Sequence, residues 1–361
     1  MIITIYITSI IAIALYLYLR LPMFGALPHG DHLEKIKKSP NYYQGKFRNI
    51  HRRSLITMPF SFWKNIYYLF IKAPPANFPK IKLPSVKTDL KALNKHEETI
   101  IWFGHSSYFI QIAGKKILVD PLFSDTSSPI LIWPKNFDHT NNYNFMDIPN
   151  IDYLIITHDH WDHLDHKTLI KLKEKIGTVI CGLGVGVHLT RWGIENIIEL
   201  DWNENIKLES MTMFCLPTQH FSGRGLIRNK TLWASFLMMT SDFKIYIGGD
   251  SGYGPHFAQI GEMFDKIDLA ILENGQYNRN WQHMHMFPHE TLKAAQDLKA
   301  VALLPVHNSK ISLSTHSWND PLQQIYEMGK NSKINLLIPK IGEKNDLRNI
   351  NPSLFKWWED G

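Results

Sequence analysis

The sequence predicts an α+β fold, two layers of sheet flanked by helices, preceded by an apolar N-terminal helix. Three observations carry this. The 361 residues are 44% hydrophobic and 20% charged, a globular balance that excludes disordered, collagen-like and polytopic membrane classes. From residue 98 onward, short β-rich runs alternate with helical patterns, the order expected of packed sheet and helix layers. Residues 1–19 contain no charged side chain.

At a helical rise of about 1.5 Å per residue, residues 1–19 reach about 28 Å, close to one hydrocarbon core. The segment lacks a basic leader, its apolar run exceeds that of a signal peptide and no small-x-small cleavage site follows. An uncleaved single-pass membrane anchor over residues 1–20 is therefore expected ahead of a cleaved signal. Residues 20–87 hold thirteen Lys/Arg against two acidic residues, a net of +11 within a chain total of +6, which leaves −5 for the rest. By the positive-inside rule this block puts the amino terminus outside and the body in the cytoplasm, and it is attracted to anionic headgroups. Within it, residues 60–72 mix aromatics with flanking lysines and read either as an interfacial helix or as one packed on the main domain. Pro74, Pro75, Pro79 and Pro84 then mark a linker that closes the 21–97 segment.

The main domain begins near Glu98. Strands are expected at 99–103, 108–112, 116–119, 152–157, 213–216, 232–239, 244–247, 268–272 and 301–305. Helices are expected at 167–175, 185–192, 255–263 and 289–298. Cys181 and Cys215 form no CxxC pair and read as core thiols.

The chemistry concentrates after the apolar run that ends at Thr157. His158, His160, Asp162 and His163 place four ligand types within six residues, and imidazole with carboxylate suits zinc, manganese or iron. Two ions a few ångströms apart need more ligands than one loop offers. His220, Asp250 and His307 each follow a predicted strand, so they are expected to converge on the same sheet edge. His166 reads as a helix-start residue. Asp120, at a strand end before Pro121, reads either as a carboxylate orienting a ligand histidine or as a turn cap. His105 reads as a loop-packing residue beside the site, and Gly248 and Gly249 as allowing close backbone approach around Asp250.

These residues resemble the metallo-β-lactamase fold through His158 to His163 and Gly248-Gly-Asp-Ser-Gly252. The likeness is closer to the branch of N-acylphosphatidylethanolamine-hydrolysing phospholipases D. It is carried by Phe103-Gly-His-Ser-Ser107, Val119-Asp-Pro-Leu-Phe-Ser124, Leu183-Gly-Val-Gly186, Glu199-Leu-Asp-Trp202, Pro217-Thr-Gln-His-Phe-Ser-Gly-Arg224 and Val306-His307, and covers roughly residues 40–345. The resemblance implies an αββα sandwich over residues 98–345, followed by a tail at 346–361. It implies one zinc held by His158, His160 and His220, and a second by Asp162, His163 and His307. Asp250 would bridge them, and a hydroxide between the metals would be the nucleophile. Asp162 would also orient that hydroxide. His285 matches a position near the reacting group and reads either as a donor to phosphate or leaving oxygen, or as a helix-start histidine. Members of such a family often pair as homodimers.

Residues 272–281 depart from the branch where it leads toward the lipid site, so headgroup and acyl preference do not carry over. The leading expectation is a membrane-anchored dizinc phosphodiesterase acting on N-acylphosphatidylethanolamine or a related phospholipid. A lactonase or other ester hydrolase resembling the ascorbate-phosphate lactonases is the alternative. The acidic catalytic portion argues against nucleic acid as partner, and seven ligand-type residues argue against an inert membrane scaffold.

Overall fold

Two seven-stranded sheets face each other across the principal core. The computed structural model describes residues 2–54, 57, 75–129, 134, 136–138, 140–353 and 355–359, so the 60–72 segment lies outside the described residues. The first sheet contains β1 (Thr99–Trp102), β2 (Tyr108–Ile112), β3 (Lys115–Val119), β4 (Ile151–Ile156), β5 (Ile176–Gly182), β6 (Ile197–Leu200) and β14 (Lys344–Asp346). Its order is β14-β1-β2-β3-β4-β5-β6. The second contains β7 (Asn205–Lys207), β8 (Thr212–Leu216), β9 (Ser235–Met239), β10 (Lys244–Ile247), β11 (Ile267–Glu273), β12 (Ala300–Val306) and β13 (Asn335–Leu336), in the order β13-β12-β11-β10-β9-β8-β7. Each sheet joins an antiparallel half to a parallel half: β3, β4, β5 and β6 pair in parallel in one, β10, β11, β12 and β13 in the other.

The strand sequences explain the layering. Ile100, Trp102, Ile110, Ile117, Val119 and Ile155 pack in one cluster with Phe236, Met238, Ile245 and Ile247 of the other sheet. The alternate residues Ile101, Phe109, Leu118, Leu154 and Ile156 pack outward against Leu164, Leu169, Leu172 and Leu189. Strands buried on both faces need apolar residues at successive positions, so they read as continuous runs. The outward contacts bring in α3 (His166–Leu172) and α4 (Gly186–Arg191), while α5 (His256–Phe264), α6 (Pro288–Asp297) and α7 (Asp320–Gly329) contribute Phe257, Ala294 and Leu322 to the principal core. The expected four-layer α/β arrangement is therefore present. Trp357 and Trp358, near the carboxyl end, are buried, and so are both cysteine thiols.

The amino-terminal expectation needs correction. Helix α1 (Ile2–Leu19) forms over the apolar segment, and residues 3–18 are exposed. No helix among the described residues is long and apolar enough to cross a membrane, so the single-pass anchor, and the sidedness deduced from it, are not supported. The foot of α1 is tied to the body. Tyr18 meets Phe24 edge-on at 5.4 Å, Phe24 meets Trp161 at 5.1 Å, and the Trp192 indole donates to Pro22 O at 2.7 Å.

Candidate metal centre

Strand ends supply the site. β4 runs into Thr157 and the His158–His163 loop, β8 leads to His220, β10 to Asp250 and β12 to His307, all at carboxyl ends. Asp165, the N-cap of α3, holds the exit of the metal loop by accepting from Lys167 N at 3.2 Å and Ser124 N at 3.0 Å. Gly249 has φ +59°, and a Cβ there would stand 2.9 Å from Thr157 Cβ. Only glycine lets the β10 turn bring Asp250 so close to the loop after β4. Asp120, His105 and His307 also have φ of 39°, 54° and 66°, left-handed conformations that cost ~1–3 kcal/mol each and cluster where a site demands them.

Two groups take up the predicted ligands: His158, half-buried His160, His220 and Asp250 form one, and His105, Asp162, His163 and His307 the other; a third, Asp250, Glu273, His285 and His307, overlaps them. Nε2 of His158 and Nε2 of His220 lie 2.9 and 3.2 Å from Nδ1 of His160. Nδ1 of His220 donates to Met284 O at 3.1 Å, which leaves its Nε2 with a bare lone pair. Facing imidazole lone pairs at such distances repel unless a cation or shared protons lie among them. Asp250 turns one oxygen to each of the first two groups. Its Oδ2 is 3.9 Å from His158 and 3.7 Å from His220, and its Oδ1 is 3.3 Å from both His163 and His307.

A metal can be tested against the polar atoms left over. His160 Nε2, His163 Nε2, His307 Nε2 and Asp250 Oδ1 are buried without hydrogen-bond partners, and buried polar groups are rarely left so. Asp120 accepts from His163 Nδ1 at 2.8 Å and from Thr157 N and Oγ1 at 2.9 and 2.6 Å. His105 Nε2 lies 2.9 Å from Asp162 Oδ2, and Ser106 Oγ lies 2.9 Å from His307 Nδ1. This donor set of imidazoles and carboxylates, with His163, Asp162 and His307 oriented from behind, fits divalent metal.

A family model described as "Beta-lactamase superfamily domain" matches residues 115–308. The chain belongs to the beta-lactamase superfamily. An uncharacterized protein of Mycobacterium tuberculosis is 33% identical over 89% of this chain and 88% of its own length. The mitochondrial N-acyl-phosphatidylethanolamine-hydrolyzing phospholipase D of Saccharomyces cerevisiae is 33% identical over 62% of this chain and 50% of its own. Among solved structures, CmlA, a diiron beta-hydroxylase of Streptomyces venezuelae, shares the fold with a TM-score of 0.54 at 17% identity, over 70% of this chain and 55% of that one.

In this superfamily member all the residues expected from the sequence meet at one edge, including His285. Its ring stands 5.2 Å from those of both His220 and His307, and Nδ1 is 2.6 Å from Glu273 Oε2. Two residues were missed in the sequence. Glu273 is fully buried and its Oε1 accepts from Ser251 N and Met286 N, both at 3.0 Å. It ends an apolar strand, the same signal that marked Asp120. Lys310 is buried and donates to Phe103 O at 3.2 Å and Leu122 O at 2.7 Å, pinning the loops after β1 and β3; burial pushes its amine down to about 7. His166 heads α3 and packs on Trp192 at 4.8 Å, a structural role.

Electrostatics follow from burial. Desolvation holds His158, His220 and His307 well below the usual imidazole range and His160 at about 4. Burial acts the same way on His163, but Asp250, Asp162 and Asp120 outweigh it and hold its pKa high. Burial raises Asp250 to about 6, against the opposing pull of His163.

Two expected results arise here. Asp120→Asn should weaken metal binding by roughly 10–100-fold, since the partner that fixes the His163 tautomer becomes ambiguous. Chelator competition measures it, and unchanged affinity would remove Asp120 from that role. The second result concerns pH. His256, outside the ligand groups and 3.2 Å from Ser251 Oγ, is held at about 3 by burial against an unfolded value of 6.5. Between those values the unfolded chain binds the extra proton, so stability rises with pH and is lost as pH falls from 6.5 toward 3. The depressed ligand histidines add to that trend, while Asp250, Glu273 and His163, whose folded values are raised, oppose it. Thermal melts of chelated protein should therefore show Tm falling from pH 7 to pH 4; a flat profile would count against neutral buried imidazoles.

Proposed function

We propose that the chain is a dinuclear metallo-hydrolase of phospholipase D type, acting on N-acylphosphatidylethanolamine or a related membrane phospholipid. The observation that carries this is Asp250, one oxygen turned to each of two ligand groups, with His285 beside it. His158, His160 and His220 would hold one ion and Asp162, His163 and His307 the other, with zinc the expected metal. Ions held there would acidify a water toward neutrality and offset charge developing on phosphoryl oxygens. The remaining work falls to the chain. Asp120 and His105 hold His163 and Asp162 in orientation. Glu273, whose carboxyl burial pushes well above its usual range, carries a proton and donates it to His285 Nδ1. His285 then has its proton on Nε2, available to the leaving oxygen. The relative named for N-acyl-phosphatidylethanolamine supports the substrate class. The exposed apolar face of α1 and the basic stretch behind it support contact with a lipid surface.

A lipid panel read by mass spectrometry tests the reading. Release of N-acylethanolamine with phosphatidic acid is expected, and the activity should disappear on chelation. Turnover of lactones or soluble esters alone would replace it with the lactonase reading.

A further inference from the structure

An apolar cavity of about 280 Å³ opens at the foot of α1. Leu19, Phe24, Leu27, Leu226 and Ile227 line it, and Leu226 is 82% exposed. Residues 19–27 form one wall of the cavity and residues 223–231 the other, and the amino-terminal wall is locked in place. Gly25 has φ +72°, and a Cβ there would fall 1.9 Å from His188 Nδ1, while Ala26 N donates to that same nitrogen at 3.1 Å. Nε2 of His188 in turn meets Asp159 Oδ2 at 3.2 Å, between the ligand candidates His158 and His160. The one acid lining the cavity is thereby satisfied, since Asp159 also accepts from Gly223 N at 2.6 Å and Thr231 Oγ1 at 2.8 Å.

Between this cavity and the metal centre lie Asp159 of the ligand loop and the loop that follows β8. His220 lies at its start, and Phe221 packs on His160 at 4.3 Å and on His220 at 4.9 Å. The Arg228 guanidinium covers Phe221 at 5.2 Å, and Leu226, Ile227 and Lys230 of the same loop face the cavity. Arg224, buried in the cavity wall, donates to Asp159 O at 2.9 Å and Leu164 O at 2.7 Å on the metal-ligand loop, so a cationic group stands between the apolar hollow and the phosphate-directed site, with the exposed apolar surface of α1 reaching the hollow at Leu19. Exposed apolar surface rimmed by polar groups marks a binding site, and this charge order, apolar then cationic then metal-ligating, matches acyl chain then phosphate.

We propose that the cavity takes one acyl chain of a bilayer glycerophospholipid whose phosphate lies toward the metal centre. The inference rests on the phospholipid reading above and adds where the lipid tail sits. Its test reads binding, separately from turnover. Full-length protein is mixed with vesicles of phosphatidylcholine and phosphatidylglycerol containing a trace of phosphatidylcholine with a diazirine near the end of its palmitoyl chain. After photolysis, adducts are mapped by peptide mass spectrometry. Adducts are expected in segments 19–27 and 223–231. Gly225→Trp fills the space, since a Cβ there meets only Phe24 Cδ1 at 3.7 Å, and should lower adduct yield in those segments about tenfold. Should Gly225→Trp lower the melting temperature, Leu27→Glu decides, because that position is half-exposed and tolerates charge; the same loss is expected. Adducts confined to α1 or scattered elsewhere, no adducts, or yields that neither variant changes would overturn the proposal. Adducts as expected without phospholipid turnover would leave the acyl site standing and remove the phospholipase reading; turnover with adducts elsewhere would do the reverse.

Discussion

Asp250→Asn is expected to lower turnover on the order of 10⁴-fold, as when one member of a catalytic unit is removed, while metal content falls from about two ions per chain toward one. The reason is the placement of its two oxygens. Oδ1 faces His163 and His307 and Oδ2 faces His158 and His220, so no other carboxylate among the described residues joins both groups in this way. Asparagine keeps the size and one acceptor but loses the charge and one bridging oxygen. Circular dichroism should be unchanged, because the backbone around Asp250 is held by Gly249 and by Ser251, whose N–H donates to Glu273 and whose Oγ accepts from Gln219 N. Elemental analysis with steady-state kinetics checks the result, and full activity with two ions retained would remove Asp250 as the shared ligand.

His285→Ala should lower kcat by about 10²–10³-fold on a phospholipid, whose leaving oxygen needs a proton, and far less on a p-nitrophenyl phosphodiester, whose leaving group needs none. This leaving-group contrast separates proton donation from loss of packing, which would slow both substrates alike. Glu273→Gln sharpens the test. The amide still donates to His285 Nδ1, so the Nε2–H tautomer survives and activity should fall much less than for Glu273→Leu, which strips the partner at 2.6 Å. Equal losses in the two Glu273 variants would mean that the pair does more than hold a tautomer. Expression and melting temperature control for the burial of a carboxyl at that position.

Much of the fold was legible because its central strands are buried on both faces. The predicted runs at 99–103, 108–112 and 268–272 coincide closely with β1, β2 and β11, where apolar residues predominate on both faces. Strand β5 was missed because its sequence carries two glycines, Gly177 and Gly182, whose tolerance is set by neighbours: a Cβ on Gly182 would meet Leu232 O at 2.3 Å. The predicted strand at 232–239 was too long at its start, because Leu232 N and Ala234 N bond to Leu183 O and Thr157 O outside the ladder and only Ser235–Met239 pair with β8. The site was more legible than the strands, since ligand chemistry marks residues by type. Glu273 escaped notice because it has no neighbouring ligand in the sequence, and only the β11–β12 pairing sets it beside the histidines. The apolar run at the amino end does form a helix, Ile2–Leu19, where the sequence places it, yet no helix among the described residues is both long and apolar enough to cross a membrane.

The two halves of the sandwich contribute unequally in time. His158, His160, Asp162 and His163 come from the first sheet, while His220, Asp250 and His307 come from the second. As the chain emerges from its amino end, the group of His158, His160, His220 and Asp250 is complete once residue 250 has been made, whereas its neighbour waits for His307 on the far side of β12. Chain order thus gives the two ligand groups different birthdays.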